Sequence, residues 1–208
     1  MLLVIIDNQG VTMEKTAWHD QEMPEKMMQT HFPHIVYSDH FAPLKKCFDL
    51  ISNDANNLLD LGCGKAEISD AFPEYEYCGA DLPHIIQKVS KISKPSLEYI
   101  EFDATICDLD FVSSFEVVVM HSFLSESETA DEILRKVLKY APKYVVIHRQ
   151  EIKDKEGREK YLTYGGLTTT KYTFDRNQLE KVIESSGFTK LFETGCLGNL
   201  KSLTLKNK

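Results

Sequence analysis

The chain has 208 residues, 42% of them hydrophobic, enough for one well-buried core and too few for two comfortable domains. With 24 basic against 32 acidic residues, a formal balance of -8, the surface as a whole repels phosphate backbones and anionic lipid, and a nucleic-acid partner is disfavoured. The five cysteines, Cys47, Cys63, Cys78, Cys107 and Cys196, are odd in number and widely spaced, and they read as reduced thiols of a cytoplasmic protein rather than a disulfide framework or a zinc knuckle.

The opening run MLLVIIDNQG is apolar for only six residues and has no basic flank, so a strand or docked arm is expected there and no membrane insertion. Residues 1–55 read as an N-terminal elaboration capping a crevice, and 56–208 as the main domain. Trp18, His19, Asp20, Phe32 and Tyr37 combine aromatic and polar groups in that first segment, while Met23, Met27 and Met28 suit a lid helix. His31, His34 and His40 form an i, i+3 pair followed by a lone histidine, a poor ligand pattern, so no metal is expected.

From residue 57 onward short β-like runs alternate with helical ones, the pattern of a largely parallel sheet covered on both faces. Strands are predicted at Leu58 to Leu61, at Tyr75 to Ala80, through Leu97, Tyr99 and Phe102, in FEVVVMHS and in KYVVIHRQ. Helices are predicted through Ile85, Ile86 and Val89, in TADEILRKVLKY with Thr129 and Glu132 as a capping box, and in FDRNQLEKVIESSGF between Asp175 and Gly187. The runs FTKLFET and LKSLTLK, separated by Gly195 and Gly198, read as a closing antiparallel hairpin. The fold class is therefore α/β: a Rossmann-like, seven-stranded, mostly parallel sheet with a C-terminal antiparallel hairpin and helices on both faces.

The first of these strands runs straight into glycines, in NNLLDLGCGKAEI. Without Cβ atoms at Gly62 and Gly64 a ligand can pack directly on backbone at the carboxyl edge of the sheet. Asp81, 17 residues past Gly64 at the end of the second strand, can accept both hydroxyl protons of a ribose. Glu67 stands where a dinucleotide fold wants a third glycine, and its carboxylate is a poor neighbour for a pyrophosphate, so an adenosine without phosphates is the expected ligand and a nicotinamide-dependent oxidoreductase is disfavoured. Each acid also has a plain reading: Asp60 as a turn cap, Asp81 as a helix cap, Asp103 as a loop acid.

LLDLGCGKAEI resembles the first motif of class I S-adenosylmethionine-dependent methyltransferases, and the strand plan resembles their fold over roughly residues 55 to 206. The resemblance implies S-adenosyl-L-methionine as cofactor, with Asp60, Gly62, Cys63 and Gly64 along its methionine part, Asp81 on the ribose, Leu82 beside the adenine, Asp103 accepting the adenine amino group and Ala104 donating through its backbone. The family usually has a further glycine where Ala66 stands. A second, looser resemblance joins residues 155 to 188 to a bacterial group of methyltransferases associated with surface-polysaccharide gene clusters, implying a glycan or other small-molecule acceptor.

Methyl transfer to a hydroxyl needs a base close to neutrality. His121 and His148, both at strand ends, are the candidate catalytic residues, with buried structural histidines as the alternative. Trp18, His19, Arg149 and Tyr164 are the candidate acceptor contacts, and Arg149 can equally form a surface ion pair. Tyr161, Tyr164, Gly165, Gly166 and Tyr172 are expected either as a mobile aromatic loop over the acceptor or packed on the sheet edge. A non-catalytic cofactor-binding or scaffold protein is the competing reading.

Overall fold

The computed structural model describes residues 5–6, 12–13, 16–30, 32–163 and 166–208; His31, Tyr164 and Gly165 lie outside them. Strands β1 (Ile5–Ile6) and β2 (Thr12–Met13) pair antiparallel as a small separate ribbon, as the opening run suggested. Two short helices follow, α1 (Met23–Gln29) and α2 (Phe41–Asp49).

The main sheet begins with β3 (Asn57–Leu61), β4 (Glu76–Asp81), β5 (Glu98–Glu101), β6 (Val117–His121) and β7 (Tyr144–Lys153). These five lie parallel in the spatial order β5-β4-β3-β6-β7. Strand order reverses between β4 and β6 on either side of β3, and that reversal opens a crevice at the carboxyl edge. The closing hairpin, β10 (Phe188–Gly195) and β11 (Leu200–Asn207), extends the sheet antiparallel beside β7.

All seven expected strands are present, and a further pair is added. β8 (Gly157–Leu162) and β9 (Thr168–Asp175) form an antiparallel hairpin whose end lies parallel to β7, with Glu151 opposite Thr173. Of the two expectations for Tyr172, packing against the sheet holds and the mobile loop does not: it is a core residue of β9, 2% exposed and edge-on to Phe174 at 4.9 Å. The β-branched and aromatic run TTTKYTFD has the composition of a half-buried strand, and this preference outweighs the glycines before it.

Alternation along the strands divides the core into two layers. Leu59, Leu61, Val118, Met120, Val145 and Ile147 face α6 (Ala130–Tyr140) and α7 (Arg176–Ser185). Leu58, Val117, Val119 and Val146 face α2, whose Leu44, Cys47 and Phe48 are buried, so α2 belongs to the body of the sheet although it precedes it in the chain. In α6 the predicted apolar face is buried, each large side chain contributing about 1.5–3 kcal/mol. The capping box is absent: Thr129 sits at φ -107, ψ 35, outside the extended geometry a side-chain cap needs, and its hydroxyl makes no cap bond. The Asp175 cap is present, accepting the Gln178 amide at 2.9 Å, and Gly187 ends α7 at φ +84.

Four short helical segments follow β3 and β4. They are α3 (Ile68–Ala71), α4 (Pro83–Ile85), a π-helical turn Ile86–Ser90, and α5 (Lys91–Ser93). Among the described residues no helix is long and apolar enough to cross a membrane.

Candidate functional site

Twelve of the fourteen candidate cofactor, catalytic and acceptor residues line one cavity of about 970 Å³ at the carboxyl edge: Asp60, Gly62, Cys63, Gly64, Asp81, Leu82, Asp103, Ala104, Trp18, His19, His121 and Arg149. That volume is in the range of sites for drug-sized ligands (about 300–1,000 Å³). Tyr164 lies outside the described residues.

The glycine loop is folded onto β4. The Gly62 and Cys63 amides both donate to the Ala80 carbonyl, at 2.8 and 3.2 Å, and the Gly64 amide donates to Asp81 Oδ2 at 2.9 Å. Gly62 (φ +76) and Gly64 (φ +49) take left-handed backbone, and a Cβ on Gly62 would stand 2.5 Å from the Phe123 ring. Ala66, where the motif usually has glycine, takes the same left-handed geometry at φ +59 and is fully buried. The π-helical turn brings Ser90 Oγ to the Gly64 carbonyl at 2.6 Å, and the buried Cys63 thiol lies 3.7 Å from the same hydroxyl.

Three acids stand at three successive strand ends. Asp60 is 1% exposed; Tyr77 donates to its Oδ2 at 2.8 Å, while Oδ1 is buried with no partner. Burial pushes this carboxyl up to about 7 against the Tyr77 hydrogen bond, with Asp81 adding to the rise. Asp81 is pushed up to about 6, also by burial, although the Gly64 and Leu82 amides favour its charge. Burial acts the same way on Asp103, but hydrogen bonds from His19 and Thr105 outweigh it and hold this carboxyl below the ordinary range.

The N-terminal segment covers the loop and is tied to it by side chains. Lys65 Nζ donates to the Thr30 carbonyl at 3.2 Å, Glu67 accepts the Ile35 amide at 3.0 Å, and His34 pairs with Asp70 at 2.9 Å. His19 Nε2 meets Asp103 Oδ2 at 2.9 Å, and the Trp18 carbonyl accepts from His84.

The opposite wall carries the histidines. His121 and His148 continue the α2-facing stripes of β6 and β7, pair in register, and place their rings 5.0 Å apart. His40, the residue before α2, brings a third ring 5.4 Å from each. His121 and His40 line the cavity; His148, 1% exposed, stands behind them with Nδ1 2.7 Å from Ser202 Oγ. Burial and the Arg149 charge lower His40 to about 4 and His121 to about 3, and burial with the neighbouring rings lowers His148 further, so all three are neutral at pH 7.

Arg149 is the extra residue of a β-bulge. Lys201 pairs with Gln150 and Ser202 with His148, which leaves Arg149 unpaired in β7 at φ +60 with its Nε buried and unpartnered. Ser122, after His121, takes φ +57, so left-handed backbone follows both histidines; His148, expected at a strand end, lies within β7, which continues past the bulge to Lys153. Glu126 sits close by, pushed up to about 7 by burial against a Tyr161 hydrogen bond and the Arg149 charge.

No family model and no curated protein matches the chain. Its architecture, however, matches solved structures across most of its length. An S-adenosylmethionine-bound amino pentose methyltransferase of Micromonospora echinaspora, involved in calicheamicin biosynthesis, superposes with TM-score 0.63 at 14% identity, over 90% of this chain and 96% of that one. The fold is that of class I methyltransferases. An S-adenosylmethionine-dependent methyltransferase of Mesorhizobium loti gives TM-score 0.62 at 14% identity over 83% and 100% of the two chains. The magnesium protoporphyrin IX methyltransferase of Synechocystis PCC 6803 gives 0.58 at 12% identity over 88% and 92%. His40, weighed in the sequence only beside His31 and His34, joins His121 and His148 instead, and Glu126 is a site residue that sequence reasoning missed. The signal for Glu126 was the turn after FEVVVMHS.

Proposed function

We propose that this chain transfers a methyl group from S-adenosyl-L-methionine to a hydroxyl of a small molecule or sugar, in the cytoplasm, with residues 56–208 binding the cofactor and the N-terminal 55 covering it. The observation that carries the reading is the Asp60 Oδ1 atom, a buried carboxylate oxygen without a partner on the cavity shared with Asp81 and Asp103. An orphaned buried acceptor is costly unless a ligand donor meets it, and the cofactor's ammonium is such a donor.

When bound, the cofactor supplies an electrophilic methyl on a sulfonium. Asp60 would hold the ammonium, Asp81 the ribose hydroxyls, and Asp103 the adenine amino group, exchanging its present bond to His19. Gly62 and Gly64 supply the left-handed backbone of the loop, and residues 16–30 and 32–40 would exclude water from the displacement. On the acceptor side, Arg149 would bind an anionic or oxygen-rich group, and His121 would accept a hydrogen bond from the acceptor hydroxyl, burial and the Arg149 charge having lowered it below the near-neutral base expected of it. Trp18 and Tyr161, both on the cavity wall, are proposed to line the acceptor path, with aromatic faces suited to a sugar ring. The amino pentose acceptor of one structural neighbour lends support to a glycan-like substrate.

The competing reading is a non-catalytic binding protein, favoured by the Asp103–His19 bond and by Phe123 lying over Gly62, both of which fill the groove from within. Calorimetric titration with S-adenosylmethionine and S-adenosylhomocysteine, with Asp60→Asn in parallel, tests the cofactor. Micromolar binding that weakens at least tenfold in the variant is expected, and no binding by the native chain overturns the reading. Methylated product from a screen of nucleotide sugars and hydroxylated small molecules then excludes the non-catalytic alternative.

A further inference from the structure

His40, His121 and His148 come from three separate elements and offer ligand nitrogens that all lie within 4.8 Å of one another. We infer that these imidazoles form a binding site for one divalent transition-metal ion of the zinc type, on the acceptor wall of the cavity.

The geometry matches what such an ion requires. Two nitrogens at the usual zinc–imidazole distance of about 2.0–2.1 Å subtend a tetrahedral edge of about 3.3 Å, and His148 Nε2 lies 3.2 Å from His40 Nδ1. Two nitrogens at that distance share at most one proton, and a cation between them satisfies both lone pairs. His121 Nε2 is buried with no hydrogen-bond partner, so the third ring also has an unspent nitrogen. His148 Nδ1 is engaged by Ser202 Oγ at 2.7 Å, which orients the ring and leaves Nε2 to ligate, the outer-shell arrangement typical of metal-bound histidine. Two of the rings stand on neighbouring strands in register and the third at the start of a helix packed on those strands, so the set is assembled before any ion arrives.

Charge and access define the fourth position. Three neutral imidazoles leave the ion its full positive charge, and the Arg149 cation stands close to the same rings. The remaining ligand is therefore an anionic oxygen: hydroxide, or an oxygen of the acceptor. Because His40 and His121 line the cavity while His148 backs them, the open position faces the cavity. Only this last point rests on the methyltransferase reading. An ion held here would bind the acceptor oxygen in place of the His121 nitrogen assigned above.

The test uses the full chain stripped with a chelator and titrated with Zn2+ alone and Co2+ alone. One equivalent per chain at micromolar affinity is expected, with the visible spectrum of tetrahedral cobalt on nitrogen and oxygen ligands. His40→Ala should weaken binding at least twentyfold, and His34→Ala, whose ring pairs with Asp70, should leave it unchanged. No binding by the folded native chain overturns the site, as does a thiolate-to-cobalt charge-transfer band. Unchanged affinity in His40→Ala overturns it too. S-adenosylmethionine titration of the stripped protein separates the two readings, since the metal result stands whether or not cofactor binds.

Discussion

The Asp81 carboxylate accepts the Gly64 amide at 2.9 Å, so the acid at the end of β4 also sets the shape of the glycine loop 17 residues before it. Its other oxygen accepts from the Leu82 amide at 2.7 Å. Asp81→Asn keeps one acceptor and turns an N–H toward a backbone N–H. The variant is expected to lose about 1–3 kcal/mol of stability and at least tenfold in S-adenosylmethionine affinity, measured by urea denaturation and calorimetry. A variant that loses affinity while keeping its urea midpoint would show that Asp81 holds ligand and not loop.

Gly62→Ala meets two obstacles at once: φ +76, and the Phe123 ring 2.5 Å from the new Cβ. The backbone cost is about 1–2 kcal/mol, and displacing a ring packed on the α6 layer adds to it. Phe123→Ala removes the Cγ and Cδ atoms that the new Cβ would meet, so on that background Gly62→Ala should cost only the part due to φ. Denaturation midpoints of the two single variants and the double check this, and a double variant as stable as Phe123→Ala alone would rule out backbone strain.

Acid stability divides between groups of opposite sign. The histidines have folded-state pKa values below their unfolded ones, so the unfolded chain binds more protons and stability falls as pH drops from about 6.5 toward 4. Asp60 and Asp81 are raised, so the native state holds the extra protons; their contribution is full at low pH and is lost as pH rises through about 6 and 7. The two partly cancel in that window. Asp60→Asn removes one opposing group, and its stability, followed by urea denaturation from pH 4 to 7, should fall more steeply on acidification than that of the native chain. An unchanged slope would mean Asp60 is ionised throughout.

His19→Ala removes the bond from the N-terminal segment to Asp103. Because Asp103 would exchange that bond for the adenine amino group, the variant should bind cofactor several-fold faster with little change in dissociation rate. Stopped-flow exchange of a fluorescent cofactor analogue measures both. A faster dissociation would instead mean that the His19 bond persists in the complex and holds the segment over the cavity.

The parallel sheet was readable because its strands are continuous apolar runs ended by acids or turn residues, and the glycine loop because φ and close approach restrict those positions to few residue types. The π-helical turn was not, since one added residue in a helix leaves no mark on the pattern that bounds Ile85, Ile86 and Val89. β8 and β9 were missed because their glycines and tyrosines suit a loop equally well. The histidine cluster was half readable. His121 and His148 share a stripe by alternation, but His40 is more than 80 residues away in the chain and joins them only through the docking of α2, which pairwise spacing along a chain cannot express.

The bulge at Arg149 divides β7 into two phases. Before it the odd residues Val145 and Ile147 enter the α6 and α7 layer; after it the even residue Ile152 does, while Glu151 turns away to pair with Lys171 and Lys153. Ordinary alternation has no place for the residue between, so Arg149 is an in-frame insertion that the rest of the strand is written to accommodate. Excising that one codon would let Gln150 follow His148 in step with both layers and leave every core side chain on its present face. Deletion, not substitution, is the change that removes the cation from the cavity and straightens the strand together.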